Sequence, residues 1–320
     1  MPEEKLRGAR IFVTGGCGFI GSHFVKRCLA AGADVLVLKT PESDCDRLAD
    51  SQDRIRFARG SITDAAAVRA AIEPFRPQFA VHLAALLNRR APEDFGDLLT
   101  VHVDGTRTLF EALENSPGLE RVLTLGTMEE CAGNSPPFRE DQRETPASPY
   151  ALTKHIAVKL AEYAGRHGGL PTIVLRPSTV YGPGQAEGML IPNCIRACLA
   201  GKDFPMTSGA QTRDFLFVDD LVDAMVAALS APLPAGTIIH VGSGKEVAVR
   251  EVAERINDLC GNPIVIQFGA RPLRPGEPKR AFFDISRARQ LLPWEPRTPL
   301  PDGLAATVRW YQAQAKHRPV

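Results

Sequence analysis

No pair of cysteines at CxxC spacing occurs in this 320-residue chain, and its seven cysteines (Cys17, Cys28, Cys45, Cys131, Cys194, Cys198, Cys260) are scattered and odd in number. That pattern excludes a small disulfide-stapled scaffold, argues against a zinc or other metal site, and predicts reduced thiols of the cytoplasmic kind. Long apolar runs are missing too, none approaching the roughly 20 residues of a membrane span. The opening MPEEKLRGAR is charged and passes at once into a short apolar run, so no secretory signal is expected there. Charge of one sign is also lacking. With 38 Lys+Arg against 37 Asp+Glu the net charge is +1, so no global field draws in nucleic acid or an anionic membrane, and any anion site must be local. Repeats and low-complexity linkers are absent. What remains, 44% hydrophobic and 23% charged residues, suffices to bury a core of one large or two closely joined domains.

The first half alternates short apolar runs with longer helical patterns. Strands are expected at Arg10–Thr14, Asp34–Leu38, Arg54–Ala58, Phe79–Leu83, Arg121–Gly126 and Thr172–Arg176. Helices are expected at Phe19–Ala31, Ala65–Phe75, Pro92–Asn115 and Pro149–His167. Strand runs that are apolar throughout indicate a parallel sheet covered on both faces. The fold class is therefore α/β, a Rossmann-type doubly wound parallel sheet. After Pro177 the rhythm breaks, and helices near Leu190–Ala200, Val249–Cys260, Ser286–Leu292 and Pro301–Ala315, with a strand at Thr237–Val241, indicate a smaller interleaved C-terminal domain. The expected division is 1–177 with 214–244 returning to it, against 178–213 and 245–320.

Gly15, Gly18 and Gly21 stand between the first strand and the first helix. This spacing lets backbone approach a pyrophosphate that the helix N-terminus, through Phe19 and Ile20, then stabilises. The second strand ends in Lys39, where an acid would accept ribose hydroxyls. On that residue alone the balance tilts toward a 2′-phosphate and NADP, with a solvated lysine as the plain alternative. Tyr150 and Lys154 lie four apart on a helical pattern and share one face. An ammonium beside a phenol favours the phenolate, which can take a proton from an alcohol as hydride leaves. Thr127 follows the fifth strand and completes the set.

In these motifs the chain resembles the extended short-chain dehydrogenase/reductase family, the NAD-dependent epimerases and dehydratases of nucleotide sugars. The matching pieces are Gly15 to Gly21, His82-Leu83-Ala84-Ala85, His102-Val103-Asp104-Gly105-Thr106, Tyr150 with Lys154, Leu175-Arg176-Pro177, Tyr181-Gly182-Pro183-Gly184, Arg213-Asp214-Phe215 and Arg274-Pro275-Gly276-Glu277. The resemblance implies bound NAD(P) and a nucleoside diphosphate sugar. It implies that Thr127 bonds the sugar's 4-hydroxyl, Tyr150 is the base and Lys154 grips the nicotinamide ribose. Arg213 and Arg274 would clamp the diphosphate, beside Glu277. Further expected cofactor contacts are Ser61, Ile62, Leu83, Ala84, Ala85 and Pro177, and further substrate contacts Leu86, Met128, Thr179, Leu190, Pro192 and Met206. A homodimer through Pro92–Asn115 and Pro149–His167 is also implied.

Departures narrow the chemistry. His102 stands where the family often has Asn, and Ser61 where it often has Asp. In the run Thr127-Met128-Glu129-Glu130-Cys131, Glu129 aligns with the dehydratases' C5 base, while Met128 replaces their proton donor. Cys131 is then a candidate donor or a buried filler. Glu130 is a solvated neighbour, or the base if the register slips by one. This pattern resembles the variant of the tunicamycin pathway that makes a 5,6-unsaturated sugar from UDP-N-acetylglucosamine, returning hydride to C4. A reaction that recycles its own hydride favours NAD despite Lys39. The leading expectation is a 5,6-dehydratase of a UDP-N-acetylhexosamine. The second is a nucleotide-sugar 4-epimerase or 4-ketoreductase. The third, a non-catalytic NAD(P)-sensing regulator, is disfavoured by the Tyr150/Lys154 pair.

Overall fold

Seven short runs, six of them apolar and buried on both faces and the edge run Arg56–Arg59 largely exposed, become one parallel sheet in the computed structural model, which describes residues 2–87, 95–273 and 277–317. Its strands are β1 (Arg10–Thr14), β2 (Asp34–Lys39), β3 (Arg56–Arg59), β4 (Phe79–His82), β5 (Arg121–Leu125), β6 (Thr172–Pro177) and β11 (Thr237–Val241), ordered β11-β6-β5-β4-β1-β2-β3. Side chains alternate across each strand. Ile11, Val13, Val35, Val37, Leu123 and Leu175 enter one core, and Phe12, Leu36, Leu38, Val122 and Val174 the other. Helix α1 (Phe19–Ala30) covers the first face, and α2 (Ala65–Phe75), α4 (Gly105–Leu113) and α5 (Pro149–Arg166) cover the second.

The helix expected over Pro92–Asn115 is, within the described residues, three pieces: α3 (Phe95–Leu99), a π-helical turn Thr100–Asp104, and α4. From β6 the chain continues through β7 (Thr179–Tyr181), α6 (Leu190–Leu199), β8 (Phe204–Pro205), β9 (Thr212–Arg213) and β10 (Phe215–Phe217). It returns to the sheet by α7 (Val218–Ser230) and β11. It then adds β12 (Val247–Ala248), α8 (Val249–Leu259), β13 (Ile266–Gln267), β14 (Arg280–Ala281), α9 (Ser286–Leu291) and α10 (Leu300–His317). A third core, with Tyr181, Ile195, Phe217, Val252 and Leu304, unites α6, α8 and α10. Among the described residues no helix is long and apolar enough to cross a membrane.

Two further features depart from the sequence expectations. Helix α7 is not among the expected elements; ten of its 13 residues are buried, and its polar face is reduced to Asp219, Asp223 and Ser230, too narrow a stripe to mark a helical period. The expected reduced thiols need correction at one pair. Cys17 and Cys45 form a disulfide with their Cα atoms 4.7 Å apart. The strand order is the reason, since β1 and β2 are neighbours and the turns that leave them lie side by side.

Candidate active site

The sheet order reverses between β1 and β4, and in a doubly wound sheet the crevice beyond such a switch point is where ligands bind. The glycine loop leaves β1 there, opposite Leu83 to Leu86 leaving β4. Gly15 has φ +69°, and a Cβ on it would stand 2.6 Å from Ala84 N. A Cβ on Gly21 would collide with the Gly15 carbonyl. Both positions therefore require glycine, whereas Gly18 is exposed and caps α1 with no side chain of its own. The first N–H groups of α1 are thus left for an anion. Thr14 Oγ1 accepts from Leu83 and Ala84 N–H at 3.3 Å each, which ties the two sides of the crevice.

At the adenosine end Lys39 is already engaged. Its Nζ donates to the Ser43 carbonyl at 3.2 Å and lies 5.7 Å from the centre of the Phe57 ring. Ser61 is hydrogen-bonded to Thr63 at 2.8 Å and Ile62 is buried against Gly105.

On the other side of the crevice, Ser148 caps α5 by accepting from Ala151 N–H at 3.1 Å, with Pro149 in the first turn. This start fixes Tyr150 and, one turn later, Lys154. Tyr150 meets the His102 ring edge-on at 5.6 Å. Lys154 is 8% exposed. Burial lowers its pKa to about 8, and the charge of Glu130 opposes that shift. A buried cation at this spacing can hold a neighbouring phenol toward its anion.

Thr127 begins a short 3₁₀ turn, Met128–Cys131, closed by a capping box. Its hydroxyl accepts from Glu129 N–H at 3.3 Å, while the Glu130 carboxylate takes the Thr127 N–H at 2.9 Å. The box separates the two glutamates. Glu130 is fully buried, 2.8 Å from Arg176 and 3.1 Å from His155. Arg176, itself 1% exposed, also binds Glu144 at 2.7 Å. Glu129 is exposed, on the side where its charge acts on Arg213. Glu130 is therefore neither a solvated neighbour nor placed to act as base. Cys131 also needs correction as a candidate donor: it is 1% exposed within the sheet core, and burial pushes its thiol up to about 12. Met128 too turns into that core, so it is not an open sugar contact.

Arg213 points its Nη2 at Glu277, 2.8 Å away, and its Nη1 at the carbonyls of Thr212 and Pro278. Thr179 and Leu190 are half-buried, whereas Pro192 and Met206 are buried, the latter in the third core. Pro177 is buried at the end of β6. Ala85 and Leu86 are exposed. Arg274 lies outside the described residues. The Glu130–Arg176–Glu144 cluster is not among the expected site features, although two signals in the sequence point to it: an arginine within an apolar strand, and Thr-x-x-Glu at a helix start.

The NAD dependent epimerase/dehydratase family matches residues 11–242, which include the glycine loop, Thr127, Tyr150 and Lys154. This chain belongs to that family. It is 35% identical to the UDP-glucose 4-epimerase of Mycolicibacterium smegmatis over 96% of its own length and 100% of that protein's. The dTDP-glucose 4,6-dehydratase of an Actinoplanes species is 31% identical, covering 95% of this chain and 98% of that one. The structure of a dTDP-glucose 4,6-dehydratase from Streptomyces venezuelae, solved with NAD bound, superposes with a TM-score of 0.86 at 30% identity, covering 96% of this chain and 98% of that chain. As a member of this epimerase/dehydratase family the chain is an enzyme whose cofactor is NAD. The glycine cradle at the switch point fits that cofactor, and Lys39, engaged by Ser43 and Phe57, needs no 2′-phosphate.

Proposed function

We propose that this enzyme is a 5,6-dehydratase of a UDP-N-acetylhexosamine. The observation that carries the reading is the division between the adjacent glutamates, Glu130 locked in the capping box and Glu129 exposed beside Arg213. The chemistry NAD supplies when bound is reversible uptake of hydride at the sugar's C4. Tyr150, with Lys154 behind it, takes the proton from the 4-hydroxyl, and Thr127 orients that hydroxyl. A C4 ketone acidifies the C5 proton, which Glu129 removes. The C6 hydroxyl then leaves as water, taking up the proton that Glu129 has just removed from C5, and C5=C6 forms. With hydride returned to C4 and a proton from Tyr150 to its oxygen, the product is the 5,6-ene sugar and NAD is unchanged. Arg213, preset by Glu277, holds the diphosphate.

A 4-epimerase is the second reading, favoured by the 35% identical UDP-glucose 4-epimerase and by Met128, which cannot donate a proton. Incubation with UDP-N-acetylglucosamine in deuterated water separates the two. The dehydratase gives a product lighter by one water. The epimerase gives inversion at C4 with no deuterium at C5 and no loss of water, which would refute the first reading. In Glu129→Gln, elimination is expected to stop while bound NADH absorbance still appears; normal turnover would refute the base assignment.

We also propose a homodimer through α3 to α5, where Phe95, Leu152 and Tyr163 are 40%, 40% and 66% exposed. Tyr163→Glu is expected to yield a monomer by light scattering.

A further inference from the structure

His102 sits in the π-turn, 2% exposed, and its two ring nitrogens face different partners. The Leu86 N–H, whose direction is set by the backbone, points at Nε2 from 3.0 Å. Nε2 also lies 3.1 Å from the Leu86 carbonyl, but a nitrogen that accepts the closer Leu86 N–H carries no proton, and with that bond made the proton of the neutral ring is on Nδ1. Nδ1 is 2.9 Å from Thr153 Oγ1, which therefore accepts. The Thr153 proton is then left for the carbonyl of Pro149 or Tyr150, each 3.1 Å away. The same ring is the one that meets Tyr150 edge-on. Behind it, the His102 carbonyl accepts from Thr106 Oγ1 at 2.5 Å. Thr106 Oγ1 is also 3.1 Å from His82 Nε2, and His82 Nδ1 is 2.7 Å from Thr14 Oγ1. A single hydrogen-bonded line thus runs from the end of β1 to the turn of α5 that holds Tyr150.

We propose that His102, as its Nδ1–H tautomer, is a positioning residue that locks the backbone of Leu86, where β4 opens into the cleft, to the helix turn carrying Tyr150. An asparagine at this position is too short to span both Thr153 and Leu86. A ring protonated at Nε2 would set that N–H against the Leu86 N–H and would donate instead to the Leu86 carbonyl, 3.1 Å from Nε2. Burial, together with the nearby charge of Lys154, keeps the ring neutral, with its pKa lowered to about 4; His82, the other titratable ring in the line, is neutral for the same reasons. The tautomer and the Leu86 lock stand on geometry alone, and only their effect on turnover rests on the nucleotide-sugar reading.

The test uses the full chain with 15N-labelled histidine at pH 7. The expected spectrum has Nδ1 protonated and Nε2 bare at His102. Amide exchange supplies a second readout: Leu86 N–H is expected to exchange about tenfold faster in His102→Leu, and to keep its protection in His102→Gln, whose Oε1 can accept the same proton. On the substrate that is turned over, kcat/KM is expected to fall about a hundredfold in His102→Leu, to recover in His102→Gln, and to leave bound NAD unchanged. An Nε2–H tautomer or an imidazolium would overturn the proposal, as would a Leu86 amide that exchanges alike in all three proteins. The first of these is measured on the unmodified chain, so a variant that fails to fold cannot hide it. If no nucleotide sugar is turned over, the function reading fails while the spectrum still decides the tautomer.

Discussion

Replacing Arg176 by methionine tests the architecture beneath the site. Its guanidinium bridges Glu130 at 2.8 Å and Glu144 at 2.7 Å, with side-chain exposures of 1%, 0% and 11% in that order. Burial alone would raise the Glu144 pKa, but the hydrogen bond and charge of Arg176 hold it at about 2 instead of 4.5, which is worth about 3 kcal/mol. Removing one partner of a buried ion pair costs about 3–5 kcal/mol, because the remaining charge is left without water or counter-ion. The two values agree, so Arg176→Met is expected to lose about 3–5 kcal/mol at pH 7.

In the native protein the Glu144 pKa is depressed, so its stabilisation is present above about pH 4.5 and is lost as pH falls toward 2. In Arg176→Met the orphaned carboxyls titrate upward, so they take up protons on acidification and relieve the strain. The gap between wild type and variant therefore narrows from pH 7 to pH 5. Urea unfolding followed by circular dichroism at both pH values measures it. Adding Glu130→Gln and Glu144→Gln to Arg176→Met is expected to recover most of the loss, since an uncharged cluster leaves no buried ion. A loss below about 1 kcal/mol at pH 7, or one that is equal at pH 5, would refute the reasoning.

Tyr150→Phe is expected to abolish C4 oxidation, seen as no NADH absorbance on mixing with a nucleotide sugar that the wild type turns over. With the Lys154 pKa lowered to about 8 by burial, its ammonium is lost as pH rises through that value, so kcat is expected to fall above about pH 8. Lys154→Arg is expected to move that limb upward, and a rate flat to pH 10 would count against the assignment. Gly15→Ala puts a Cβ 2.6 Å from Ala84 N at φ +69°, and the purified variant is expected to carry less than about a tenth of the wild-type NAD by chromatography of the denatured protein. Without reductant, five free thiols are expected in urea, against seven after reduction. Reducing Cys17–Cys45, which closes a loop at a sequence separation of 28, is expected to cost about 3.5 kcal/mol.

The sheet was legible because six of its seven strands are apolar on both faces, as a doubly covered parallel sheet requires, while the edge strand β3, Arg-Phe-Ala-Arg, carries little of that signal. The glycine loop and the Tyr150/Lys154 spacing were legible for a related reason: each encodes its geometry within one turn of chain. Helix α7 was not, since a helix whose polar stripe is only Asp219, Asp223 and Ser230 carries little of the periodicity by which helices are recognised. The π-turn at Thr100–Asp104 was hidden inside a run with no proline to mark a break. Cys17 and Cys45 gave no signal from their separation; only the adjacency of β1 and β2 makes them partners.

Glu129 and Glu130 mark where local reading stops and tertiary structure decides. Identical in type and adjacent in sequence, they are told apart by Thr127: once it caps the turn, the third residue after it must reach back to the cap N–H, which commits Glu130 to the interior and leaves Glu129 outside. The interior can accept that carboxylate only because Arg176 meets it there from β6. A strand arginine that a packing argument would count as a cost is thus what allows the turn to offer one carboxylate, and not two, to the cleft. It follows that exchanging the pair's roles requires moving the cap, and that Glu130→Gln is expected to disturb Lys154, whose charge it supports, before it touches any step at C5.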